Sequence, residues 1–151
     1  MFRTLRDLFE SFTAPQAAGP DPGSLQLACA VLLVEVMRAD PQVAPAERQV
    51  VLDALRQRFP MGEAELAELI ALADEASRSA SDFHQFTSEI NRALDQPAKV
   101  AVVETMWQVA LADGHLDAHE NHVISRISGL LHVTHGEYIA AKLRAREAGG
   151  L

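Results

Sequence analysis

The chain has 151 residues, 48% of them hydrophobic and 23% charged, with a formal net charge of −8 and one cysteine. That is one domain's worth of chain with enough apolar content for a core, and it is too hydrophobic for a disordered protein. The acidic balance argues against nucleic acid, which needs a basic face, and fits cations or basic surfaces as partners; a lone cysteine excludes a disulfide framework within the chain. Aromatics make up only 5%, so the core is expected to be aliphatic. Long Ala/Leu/Glu/Arg segments without strict alternation point to helices.

Residues 2–12 put Phe2, Leu5, Leu8, Phe9 and Phe12 on one face of a helix, with Arg3, Arg6, Asp7 and Glu10 elsewhere. The pattern is amphipathic. Its apolar face either docks on the domain that follows or anchors the chain to a partner or a membrane surface. The next stretch, APQAAGPDPGS at 14–24, holds three prolines and two glycines and is predicted to be a linker. The expected organisation is therefore an N-terminal helix over 1–13, a linker over 14–24, a helical domain over 25–147 and a frayed tail over 148–151. MFRTLRDLFE carries charge where a secretory signal has an apolar run. The longest apolar run, 28–34, is far short of a membrane span, so a cytoplasmic location is expected.

From Leu25 the pattern is helical to the end. Residues 25–38 are apolar nearly all round, which marks a central helix, with Cys29 as a buried thiol. Asp40-Pro41 stops it, and Pro45 suits the first turn of a second helix running to about Arg58. A break at 59–62 precedes a third, 63–79, with Leu66, Leu69, Ile70 and Ala73 inward. Ser81 is placed to cap a fourth, carrying Phe83, Phe86, Ile90 and Leu94. Gln96-Pro97 starts a fifth through Leu111, and Gly114 closes it as a residue able to take left-handed angles. Two more follow at about 118–132 and 136–147, with Thr134 and Glu137 at capping-box spacing.

Two stretches repeat. DPQVAPAE at 40–47 aligns with DGHLDAHE at 113–120, matching Asp40 with Asp113, Val43 with Leu116 and Glu47 with Glu120. Val36 and Ala39 upstream match Val109 and Ala112, and Val50 and Val51 downstream match Val123 and Ile124. Such a repeat predicts an all-α, pseudo-twofold bundle of about seven helices.

VALADGHLDAHE, followed by LLHVTHGEY, resembles the TerB family of tellurite-resistance-associated proteins, and is similar to the N-terminal domain of DjlA-type membrane co-chaperones. The resemblance covers roughly 25–144. Its most specific piece is the Ala-Asp-Gly…Glu core at 112–120, whereas Pro41 replaces the glycine in the first repeat. It implies an all-α bundle, no established catalytic chemistry, acidic residues that bind metal, and a link to stress and tellurite response.

The acidic turns carry two readings. Asp40 and Asp113 end helices, where a carboxylate meets the negative end of the dipole at a cost of about 0.3–1 kcal/mol. In one reading they turn forward to accept backbone N–H groups, while Asp117 and Glu120 stand as N-cap and N3, with Glu47 at N3 after Pro45. In the other, the pseudo-twofold brings Asp40, Glu47, Asp113, Asp117 and Glu120 together as hard oxygen ligands for Ca²⁺, Mg²⁺ or Mn²⁺. An EF-hand is excluded, since Ala118 stands where its glycine belongs and Ile124 where its bidentate Glu belongs. His119 and His122 are neighbours on one helix face and His115 sits in the turn, which makes a Zn²⁺ or Ni²⁺ site conceivable. His132 and His135 lie about 22 Å away along the helix and cannot join.

Enzymatic motifs are thin. No Gly-rich phosphate loop, GxSxG elbow or HExxH is present, and a metal-dependent hydrolase would require a pocket around its carboxylates. The expected function is a non-enzymatic TerB-like stress-response module acting through protein partners. The alternative is a metal-sensing or metal-sequestering protein.

Overall fold

Leu27 to Val34 are buried without exception, and a helix with no solvent face has to lie at the centre of its domain. A computed structural model of the chain describes residues 22–39, 45–80, 82–112, 114, 116 and 118–149. They form seven helices and no strand: α1 (Pro22–Ala39), α2 (Pro45–Arg58), α3 (Glu63–Ser79), α4 (His84–Ala93), α5 (Gln96–Ala110), α6 (Ala118–Leu130) and α7 (His135–Ala148). The expected helix over 2–12, the linker up to residue 21, Ser81 and the last two residues of the tail lie outside the described part. No helix among the described residues is long and apolar enough to cross a membrane.

The contacts follow a pseudo-twofold plan. α1 packs on α2 and α3, and α5 packs on α6 and α7 in the same way. Each central helix also crosses to the other half, α1 against α6 and α5 against α2, and α1 and α5 pack on each other. Burial repeats with the sequence: Val36 and Val109 are buried, Ala39 and Ala112 half-buried, Val50 and Val123 half-buried, Val51 and Ile124 buried. The helix that joins the halves, α4, lies on α1 and α6.

The helix ends show why boundaries differ from expectation by a few residues. α1 begins at Pro22 rather than Leu25, because a proline in the first turn loses no hydrogen bond; residues 22–24 of the expected linker are helical. Asp82 Oδ1 accepts the N–H of His84 at 2.9 Å at the entry to α4. Asp95, unnoticed in the pattern, caps α5 by accepting Ala98 N–H at 3.0 Å. α6 ends at Leu130, not 132, in a Schellman motif: Val133 N–H donates to Ser128 O at 3.0 Å and His132 N–H to Gly129 O at 3.1 Å. This puts His132 at φ 60°. The capping box of α7 forms as expected, Thr134 N–H donating to Glu137 Oε1 at 2.9 Å and Glu137 N–H to Thr134 Oγ1 at 3.1 Å.

α7 rests on α5 through Ala141 and Ala145. The Tyr138 ring packs on the buried Trp107 at 5.2 Å, tilted by 51°, and Lys142 Nζ lies 5.1 Å from the centre of the Trp107 ring. Polar ties join other helices. Ser77 Oγ donates to Glu35 and accepts from Arg38 Nη1 between α3 and α1. Asn91 Nδ2 donates to Leu130 O, at 3.0 Å, between α4 and α6.

Candidate metal centre

α2 and α6 start in the same way, each with a glutamate as the third helical residue: Glu47 after Pro45-Ala46 and Glu120 after Ala118-His119. Both side chains are 0% exposed. The local reason lies in helical spacing. Glu47, Val51 and Leu55 share one face of α2, as Glu120, Ile124 and Ser128 share one face of α6, so each carboxylate stands in line with the buried stripe.

Position N3 alone does not account for that burial. Glu137 holds the same position in α7, bonds the Thr134 backbone and Gln96 Nε2, and remains half-exposed. The Thr134 N–H, foremost, and the Gln96 amide hold its carboxyl below the usual carboxylate range. Capping a helix therefore needs no burial in this chain. Taking a carboxylate wholly out of water costs several kcal/mol unless positive charge or hydrogen bonds balance it.

Of the residues expected at the site, Asp40, Asp113, Asp117 and His115 lie outside the described residues. Gly114 takes φ 79°, as the closing turn of α5 requires, with its N–H donating to Leu111 O at 2.9 Å. His119 and His122 are exposed while Glu120 between them is buried, so the histidines share a surface that the carboxylate does not. Among the described residues no group of three or more His, Cys, Asp or Glu is placed to hold a metal ion. Glu47 and Glu120 are hard oxygen donors, a donor chemistry that fits Ca²⁺, Mg²⁺ or Mn²⁺; a complete site would need further ligands, for which the sequence offers Asp40, Asp113 and Asp117.

Sequence reasoning treated the five carboxylates alike and did not foresee that the two glutamates are fully buried. The signal was present, since each falls four residues before a buried aliphatic residue, Val51 or Ile124. Two further buried charges went unnoticed. Glu89 bonds Arg92 at 2.6 Å, and Lys99 donates to Asn91 Oδ1 at 3.3 Å. Cys29 is buried as expected, and desolvation pushes its thiol up to about 12 against a smaller opposing pull from Arg58.

A family model described as Tellurite resistance protein TerB matches residues 26–143. No curated protein matches the chain, and no solved structure does.

Proposed function

This chain belongs to the TerB family of tellurite resistance proteins, and from that premise we propose that it is a non-enzymatic stress-response module that works through protein contacts and holds a divalent cation at its acidic turns. The observation that carries the cation is the complete burial of Glu47 and Glu120 at equivalent helix starts. Both carboxylates have partners within the fold; a divalent ion would add positive charge beside them, and the pseudo-twofold explains why the pair occurs once in each half. Asp40, Asp113 and Asp117, in the turns that lead into α2 and α6, complete the ligand set. The oxygen donors favour Ca²⁺, Mg²⁺ or Mn²⁺ over Zn²⁺. The bound ion ties the two acidic turns together, and the surface around them meets the partner. The reading places the protein in the cytoplasm.

The test is thermal unfolding with chelator and then with each ion, alongside calorimetric titration. An ion at about 100 times its Kd adds about 2.7 kcal/mol, which raises the melting temperature of a domain this size by about 5–10 °C. Glu120→Gln and Asp113→Asn should lose most of that rise. A parent protein whose melting temperature ignores Ca²⁺, Mg²⁺, Mn²⁺ and Zn²⁺ alike would refute the cation and leave the carboxylates as helix caps.

A further inference from the structure

Between α2 and α5 lies a cleft of about 350 Å³, at the small end of the range for ligand sites. By the spacing that relates Glu47 to Glu120, its Ala54, Gln57, Arg58 and Thr105 correspond to Ile127, Leu130, Leu131 and Leu32 in the other half. There α4 packs on α1 and α6, and Ile127, Leu131 and Leu32 are buried. The open side thus carries small or polar residues where the covered side carries aliphatic ones. Such a surface is unsuited to an apolar helix and suited to a small polar molecule.

Charges of both signs line the cleft. Asp53 and Arg58 stand about 7.5 Å apart along the axis of α2, and they do not neutralise each other. Asp53 Oδ1 accepts from Gln49 Nε2 at 2.9 Å and lies 3.6 Å from Arg56 Nη1, and neither contact engages Oδ2. Among the described residues no carboxylate forms an ion pair with Arg58. Ala54, Arg58 and Thr105 also line a smaller pocket beneath, together with Cys29 and Leu33 of α1. The Arg58 side chain therefore borders an apolar floor, where a charge counts for more than in open water. The amides of Gln57 and Gln108 add donors and acceptors.

We propose that this cleft binds a free α-amino acid with an aliphatic side chain, its carboxylate on the Arg58 guanidinium, its ammonium on Asp53 Oδ2 and its side chain over Val50 and Ala54. A zwitterion answers both charged residues at once. A simple anion would meet Asp53 as a like charge, and a simple cation would meet Arg58 in the same way. A zwitterion also adds no net charge to a chain that already stands at −8. An adjoining depression of about 470 Å³ shares Val50 and Gln108 and leaves room for the side chain. The site draws on no carboxylate of the acidic turns, so it holds whether or not a cation binds there.

L-Leucine titrated into the full chain tests it, read by calorimetry and by the methyl resonances of Val50 and Ala54. The two halves of leucine serve as controls, 4-methylpentanoate without the ammonium and 3-methylbutylamine without the carboxylate. Leucine should shift both sets of methyls saturably at or below about 10 mM. Each half should bind about tenfold more weakly, the loss expected when one charge-assisted hydrogen bond goes. Asp53→Asn and Arg58→Gln, both at exposed positions, should keep the fold and each weaken leucine binding about tenfold. No saturable shift with leucine, a half-molecule that binds as tightly as leucine, or an affinity unchanged in either variant would each overturn the proposal.

Discussion

His132 and Gly114 share left-handed backbone angles, φ 60° and 79°, and should respond in opposite directions when their side chains are exchanged for the other kind. An L-residue in that region pays roughly 1–2 kcal/mol, with histidine among the more tolerant types. Glycine avoids that cost but gives up about 0.5–1 kcal/mol through the entropy of its unfolded chain. His132→Gly keeps the Schellman hydrogen bonds, and the bond that Gln96 Nε2 donates to the residue 132 carbonyl at 3.0 Å is to the backbone and survives as well. The net gain should be about 0.5 kcal/mol, a rise of about 1–2 °C. Gly114→Ala imposes the penalty and recovers only part of it, for a loss of about 1 kcal/mol and about 2–4 °C. Urea unfolding at one temperature, with the slope held common, resolves the pair. Destabilisation by His132→Gly, or a neutral Gly114→Ala, would show that these angles are not what limits the two turns.

Leu69 is 0% exposed and Leu143 is 52% exposed, so Leu69→Ala should cost about 2–5 kcal/mol and Leu143→Ala less than about 0.5 kcal/mol; chemical denaturation of both variants decides it. The raised thiol of Cys29, about 12 against 9.0, contributes stability that is complete below the unfolded value and is lost as pH rises through the folded one, so the native state weakens between about pH 9 and 12. Cys29→Ala should remove that part of the alkaline slope, and a slope identical in both proteins would exclude it. In Gly129, on an exposed stretch of α6, an added Cβ meets nothing within 4 Å. Gly129→Ala should therefore stabilise by about 0.5–1 kcal/mol, read from the same denaturation curves.

How much the sequence disclosed depended on the range of the interaction. The helices were legible because apolar spacing and prolines at 41, 45 and 97 act locally, and the repeat was legible because Asp, Glu and aliphatic residues recur at fixed offsets. Boundaries shifted where a side chain or backbone bond outside the pattern decided the end, as with Asp95 at α5 and the Schellman turn at His132. The distinction between carboxylates was harder. Glu47, Glu120 and Glu137 all occupy N3, but α2 and α6 each pack against both central helices, α1 and α5, and bury the first two, while α7 packs on α5 alone of that pair and leaves the third half-exposed.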